Sequence, residues 1–361
     1  MKAAMFVGTG EPLAIEDITP SPPGSTDVLV QLGASGVCHS DLSIKNGFVP
    51  MPPGYVLGHE GAGTVVEVGS EVTKVKKGDK IIASFIPACG VCLSCLADQS
   101  HLCDREFEVM TAMRGTRADG SPYLTMTGLG TFAEAMTVSQ DSVVKVETDI
   151  PFDQLALIGC GVTTGVGAAL NTAQVHPGAS VAIIGCGGVG LSVLQGARIA
   201  GAGRIIAVDQ GEEKRKAAES QGATDYIDAS QGDPVEQVQA ITGGRGVDYA
   251  FEVTVGAPEI ILQAYGMVRK GGTLVMVSMP RVEGSVTLPT FDLFYNEKTL
   301  KGCKYGSAQV RRDFLRFVSL AETGRLDLGS MVSRHIRLDE VNAAFTAMEN
   351  KEVVRSVITS F

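Results

Sequence analysis

The sequence contains no tryptophan and few aromatic residues of any kind, 6% of 361. It still carries 44% hydrophobic and 19% charged residues, the balance of a folded chain. Positive charge is also short, with 30 Lys and Arg against 40 Asp and Glu, for a net charge of −10. That deficit argues against a nucleic-acid or anionic-membrane surface, which needs clustered Lys and Arg. No basic stretch leading into an apolar core opens the chain. "MKAAMFVGTGEPLAI" reads instead as a strand and turn, so secretion is not expected and a cytoplasmic location is. One charge-free run, Pro177 to Ala197, is long enough to cross a bilayer. Its six glycines and strand-to-helix turn signal fit a buried strand and helix better, so no membrane partner is expected. Internal repeats and low-complexity linkers are absent.

A chain of 361 residues is long for one domain and comfortable for two. From Met1 to about Cys160 short strands are punctuated by Gly, Pro and Asp. "DVLVQLGASGV" alternates Val28, Val30 and Leu32, and "GTVVEVGSEV" and "GDKIIASF" behave alike, which suggests a partly closed β domain. After Cys160 apolar strands ("SVAIIG", "RIIAVD", "DYAFEV", "GGTLVMVS") alternate with helix-length segments. That alternation is the signature of a doubly wound parallel sheet, making the whole chain α/β. The tail then returns to mixed character, with two amphipathic helices and a last strand, "SVITSF".

"VAIIGCGGVG" sets Gly185, Gly187 and Gly190 in G-x-G-x-x-G spacing between an apolar strand and a helical segment. Such glycines permit a tight turn and close approach of a pyrophosphate to a helix N-terminus. Asp209 ends the next strand and would accept from the adenosine ribose hydroxyls; Gln210, not Arg, follows it. An acid there repels a 2′-phosphate, which favours NAD over NADP.

Clustered cysteines in a reducing compartment are more often metal ligands than disulfides. Cys89, Cys92, Cys95 and Cys103 follow C-x2-C-x2-C-x7-C. All-sulfur ligation leaves no open position and marks a structural zinc. An iron–sulfur cluster is the runner-up, but the bacterial ferredoxin run has a three-residue last gap and then Pro, where this chain has seven residues and Asp104. Cys38 in "GVCHSD", His59 and Glu60 in "GHEGAG", and Cys160 in "IGCGVTTG" are unremarkable one by one. Together they supply the Cys2His set of a catalytic zinc with one position free. Asp41 and Glu60 stand beside these ligands, and one of them could orient the His59 ring.

With "GHEGAG", the four-cysteine lobe, "GCGVTTG", "GCGGVG" and the acid after it in this order and spacing, the chain resembles the zinc-dependent medium-chain alcohol dehydrogenases over essentially its full length. The resemblance implies a GroES-like β-barrel catalytic domain (1–161 with 305–361) interrupted by a Rossmann NAD-binding domain (162–304). It implies two zinc ions per chain, one catalytic and one structural, together with NAD and an alcohol/aldehyde substrate pair. Cys38, His59 and Cys160 match the catalytic zinc ligands, and Glu60 a neighbouring carboxylate that can visit the metal. Asp41 matches the histidine's partner, and Ser40 the hydroxyl that relays the alcohol proton. His39 and Arg355 fall at pyrophosphate contacts, Arg355 also within reach of Glu60, and Lys214 falls at a ribose contact. Thr164 and Val189 match the nicotinamide site, with Gly188, Val277 and Tyr305 among the coenzyme contacts. Phe85, Val49 and Phe107 fall in the substrate pocket.

Departures refine the expectation. Many relatives place a histidine three residues after the relay hydroxyl, where this chain has Ser43. The branch that oxidises the glutathione adduct of formaldehyde places an acid and an arginine at the pocket entrance, where Val49 and Phe107 stand. The apolar entrance and small Ser40 suit medium-chain or aromatic primary alcohols. "FEVMTAMRGTRADGSPYLTMTGLG" keeps much of a long loop seen in dimeric relatives, which favours a homodimer. "CHSDL", "SFIPACGVC" and "NEKTLKG" also resemble the actinobacterial nicotinoproteins, in which NAD stays bound. A secondary-alcohol or polyol dehydrogenase is the alternative enzyme, and a catalytically silent NAD-binding protein the alternative outside enzymes.

Overall fold

The alternation of Val28, Val30 and Leu32 becomes one face of a ten-residue strand, Asp27–Gly36, with all three side chains buried and Gln31 exposed between them. This strand is the spine of the first of two compact units, Met1–Cys160 with Gln309–Phe361; the second is Gly161–Ala308. The computed structural model describes residues 1–254, 256–350 and 352–361.

In the first unit Asp27–Gly36 pairs antiparallel with Glu60–Val68, Ala135–Ser139 and the last strand, Ser356–Ser360. A smaller closed barrel is made by Lys2–Phe6, Ala14–Pro20, Gly115–Arg117, Pro122–Thr125 and Tyr55–Val56. The stretch expected as a long loop after Phe107 is therefore largely structured, since it supplies two of these barrel strands. Helix Val341–Glu349 lays Val341, Ala344, Phe345 and Met348 on the core around Phe6, Leu57 and Phe132, which is the buried stripe expected of an amphipathic helix. The register of Asp27–Gly36 against Glu60–Val68 places Gly36 opposite Glu60. Two chain segments rich in candidate ligands thus end side by side.

The second unit is built on strands β1 (Ser180–Ile184), β2 (Arg204–Asp209), β3 (Asp225–Asp228), β4 (Val247–Glu252), β5 (Val268–Met276) and β6 (Thr299–Gly302). They form one six-stranded sheet in the order β3-β2-β1-β4-β5-β6. Every pairing is parallel. The order reverses between β1 and β4, and ligands of open α/β sheets bind outside the strand ends at such a switch point. The charge-free run Pro177 to Ala197 is β1 followed by helix Gly188–Ile199. The one described helix long and apolar enough to cross a membrane, Phe152–Ala173, is 83% buried over its most apolar window.

Phe345 is 1% exposed and its ring centroid lies 6.5 Å from that of Phe132, so it ties the C-terminal helix to the barrel-side core. Phe345→Ala is expected to cost about 3–5 kcal/mol of unfolding free energy by denaturant titration. A loss below about 1 kcal/mol would contradict this assignment of the core.

Candidate active site and metal centres

Cys38 ends the extended segment that follows Gly36 and caps a short helix, His39–Lys45. His59 immediately precedes and Glu60 opens the antiparallel partner strand, after Gly58, whose φ of +90° favours a residue with no Cβ. Gly36 also has a steric duty, because a Cβ there would lie 2.1 Å from the Glu60 Oε2 atom. Cys160 arrives on a π-helical turn, Ile158–Val162, that follows helix Phe152–Leu157, and Gly159 lets that turn approach the Ala83 carbonyl. Such turns recur where a helix must aim a side chain off its regular face.

One ligand atom from each of Cys38, His59, Glu60 and Cys160 lies within 4.8 Å of all the others, and all four residues are buried. Asp41 organises the cluster. Its fully buried carboxylate accepts Cys38 N at 2.9 Å and Gly58 N at 3.0 Å, and contacts His59 Nδ1 at 3.2 Å. That contact leaves His59 Nε2 as the ligand atom, and Nε2 is buried without a hydrogen bond of its own. Two sulfurs and an imidazole nitrogen with an oriented ring fit zinc, with a position left over for a substrate oxygen.

The charges follow from burial and neighbours. Its hydrogen bond to Cys160 holds the Cys38 thiol well below the ordinary range, and Arg355 assists. The same bond, with burial, pushes Cys160 up. Burial opposes protonation of His59, but Asp41 and Cys38 outweigh it and raise its pKa. Burial lifts the Glu60 carboxyl to about 7 against the pull of Arg355. Arg355 is buried too, with Nη2 3.3 Å from Glu60 Oε1 and Nη1 donating to the Val37 carbonyl at 3.2 Å.

Around this cluster Ser40 is half-buried, its hydroxyl 3.9 Å from the Cys38 sulfur. The Phe85 ring stands edge-on to His59 with centroids 5.8 Å apart. Val49 is half-buried against the neighbouring core, and His39 is exposed on the helix surface. Phe107 is 77% exposed on the surface helix Glu106–Met110.

The second cysteine group is closed. Sulfurs of Cys89 and Cys95 lie 3.7 Å apart, and those of Cys92 and Cys103 lie 3.9 Å apart. A disulfide needs about 2.05 Å, whereas the edge of a tetrahedron with 2.3 Å zinc–sulfur bonds is about 3.8 Å. Backbone N–H groups of Val91 and Cys92 point at the Cys89 sulfur, and that of Cys95 at Cys92. Hydrogen bonds from the Asp104 and Cys95 backbone bring the Cys92 thiol down to about 7. The donor set fits a structural zinc.

In the second unit the three glycines have three different reasons to be glycine. Gly185 has φ of +100° and turns the chain; Gly190 would place a Cβ 1.8 Å from the Gly185 carbonyl oxygen. A Cβ on Gly187 would meet nothing within 4 Å, so the backbone there is open to a ligand. Gly188 and Val189 follow at the start of helix Gly188–Ile199. Asp209 ends β2 and is held by backbone donors, Cys186 N at 2.6 Å and Gln210 N at 2.7 Å. Lys214 is partly buried on helix Glu212–Ser220. Thr164 is partly buried; Val277 is buried just beyond β5, and Tyr305 is buried in a left-handed conformation with φ of 53°. These features fit a dinucleotide.

Sequence reasoning overlooked Glu252. It ends β4 fully buried, and its carboxylate accepts Thr254 N at 2.8 Å and the Thr254 and Ser278 hydroxyls, fixing the turn beside Gly185. The strand "VDYAFE" already carries Asp248, so an acid at its end gave no distinct signal.

The chain belongs to the zinc-binding medium-chain alcohol dehydrogenase family and is an oxidoreductase. The alcohol dehydrogenase GroES-like domain model matches residues 24–148, and the zinc-binding dehydrogenase model matches residues 188–322. It is similar to the NDMA-dependent alcohol dehydrogenase of Amycolatopsis methanolica, at 38% identity over 99% of this chain and 98% of that one. An S-(hydroxymethyl)glutathione dehydrogenase of Synechocystis is 37% identical, with 99% of both chains covered. The crystal structure of benzyl alcohol dehydrogenase from Acinetobacter calcoaceticus superposes with a TM-score of 0.92 at 30% identity, covering 100% of this chain and 99% of that one.

Asp41→Asn would turn an amide donor towards a backbone N–H. It is expected to weaken zinc retention at the Cys38–His59–Cys160 set about 10–100-fold in a chelator competition. It is also expected to cost about 1–3 kcal/mol of stability. Native zinc retention and stability in this variant would contradict the role given to Asp41.

Proposed function

We propose that this protein interconverts medium-chain or aromatic primary alcohols and their aldehydes, with NAD as hydride carrier. The observation that carries the reading is the buried set of Cys38, His59 and Cys160 with its ring nitrogen oriented by Asp41. Zinc in such a site lowers the pKa of a hydroxyl or polarises a carbonyl, and NAD takes up or returns the hydride. The chain's own residues supply the rest. Ser40 Oγ takes the substrate hydroxyl proton and passes it towards the nicotinamide ribose and solvent, since Ser43 offers no imidazole to continue the relay. Phe85 shields the His59 face from water, and it and Val49 give the substrate an apolar wall. Asp209 holds the adenosine ribose and disfavours a 2′-phosphate, and the open backbone at Gly187 takes the pyrophosphate.

The neutral side chains of Val49 and Phe107 give a glutathione carboxylate no partner, which speaks against the glutathione adduct as substrate. The likeness to the benzyl alcohol dehydrogenase supports an aromatic alcohol. The alternative is a nicotinoprotein in which NAD stays bound, a reading that rests on the resemblance of "CHSDL", "SFIPACGVC" and "NEKTLKG" to that branch. Protein purified without added nucleotide, then denatured and assayed, separates the two: well under one NAD per chain is expected, and about one per chain would establish the alternative. We read the assembly as a homodimer: Phe291, Phe294 and Tyr295 are 73%, 79% and 66% exposed, more apolar surface than isolated residues explain, in the unit whose sheet ends on β6.

A panel of primary alcohols of increasing length, with benzyl and secondary alcohols, tests the substrate class. Benzyl or medium-chain primary alcohols are expected to lead in kcat/KM, and a secondary alcohol in the lead would overturn the reading. Asp209→Asn removes a charge-assisted ribose contact, and its kcat/KM for NAD is expected to fall about 10–100-fold with less loss for NADP.

A further inference from the structure

The four-cysteine lobe is surrounded by charges that the reaction does not use. Four thiolates around one Zn2+ leave two negative charges, and Cys89, Cys95 and Cys103 are buried. Buried charge without compensation is costly. Three cations from separate segments reach this lobe. Lys74 sends Nζ to the carbonyl oxygens of Ala88 at 3.4 Å and Cys89 at 3.2 Å, and pairs with Asp141. Arg105, two residues past Cys103, sets Nη1 2.9 Å from the other Asp141 oxygen. Arg311 comes from helix Val310–Glu322 and donates Nε to Ala88 O, Nη1 to Val143 O and Nη2 to Gln140 O, each at 3.3 Å. The start of that helix is pinned to the lobe, because Val310 N donates to the buried Ser100 hydroxyl at 2.8 Å.

The arrangement is asymmetric in charge. Asp141 is 5% exposed and cancels one of the three positive charges. The hydrogen bonds of Arg311 all end on neutral carbonyls, so they leave its charge intact. Glu108 also pairs with Arg105, but its side chain is 65% exposed and the pair is weakened by solvent. Lys74, Arg105 and Arg311 against Asp141 leave a net charge of +2 around the lobe, equal and opposite to a tetrathiolate zinc, with Arg105, 40% exposed, the most screened of the three.

We propose that Lys74 and Arg311 are positioning residues of the four-cysteine site, fixed cations that offset the zinc–thiolate charge and set how tightly the ion is held. The inference rests on reading these four thiolates as a zinc site. It differs from a purely mechanical role, in which the same side chains only tie the lobe to the sheet.

The test is transfer of zinc from the loaded protein to a chromogenic chelator, in a Cys38→Ser, Cys160→Ser background where the four-cysteine ion is the one counted. Arg311→Met and Lys74→Met are each expected to speed release about 10–100-fold, the range for partners just outside a metal's ligands. Arg311→Lys keeps the charge and is expected to stay within about threefold of the background protein. Release from both Met variants within about twofold of the background would overturn the proposal. So would release from Arg311→Lys as fast as from Arg311→Met, since the guanidinium fork and not the charge would then matter. Should Arg311→Met fail to fold, Lys74→Met carries the test, its side chain being 26% exposed and less central to packing. A background protein that holds no zinc would overturn the zinc reading itself, a result distinct from either failure above.

Discussion

One carboxylate holds the Cys38–His59–Glu60 part of the buried ligand cluster together. Asp41 accepts a backbone N–H from each of two of the three ligand-bearing segments, at Cys38 and Gly58, and fixes the His59 ring as well. A buried carboxylate is costly unless it is fully satisfied, so its presence obliges both segments to keep their place. The helix His39–Lys45 is too short to be stable alone and is held by this network. The ligand geometry is therefore a consequence of backbone hydrogen bonding, with the strand register from Gly36 to Glu60 setting the distance.

The two cysteine-bearing centres divide their labour by coordination. The four sulfurs of the lobe close a shell at separations of 3.7 and 3.9 Å, leaving a substrate nowhere to bind. The Cys38, His59 and Cys160 set has three neutral or anionic donors and a carboxylate, Glu60, that is tied back to Arg355. A salt-bridged carboxylate held beside an open position can neutralise charge there without occupying it. Fold and chemistry thus meet at Gly36, whose missing side chain makes room for the Glu60 oxygen.

Much of this was legible in the sequence, for physical reasons. Buried parallel strands read as unbroken apolar runs, and the period-two alternation of Val28, Val30 and Leu32 marked a strand with one buried face. The glycine turn was legible because its three glycines do separate steric work. The four cysteines were legible because their spacing alone brings them together. Cys38, His59 and Cys160 lie far apart in the chain; their donor types suggested a Cys2His set and the family resemblance made it specific, and the structure brings them within 4.8 Å. The Lys74–Asp141–Arg105 network and Arg311 were silent, since their roles depend on contacts across long sequence separations that no local pattern carries. The stretch from Phe107 to Gly130 contains two short barrel strands that the Gly and Asp between them hid from a local reading.

The central claim is that the conspicuous cysteine lobe is structural and that the dispersed Cys38, His59 and Cys160 carry the reaction. Zinc stoichiometry measured together with alcohol-dependent NADH formation in Cys160→Ala tests it most directly. The expected result is a folded protein that loses one of two zinc ions per chain and all measurable turnover. A variant that keeps both ions and its activity would contradict the account.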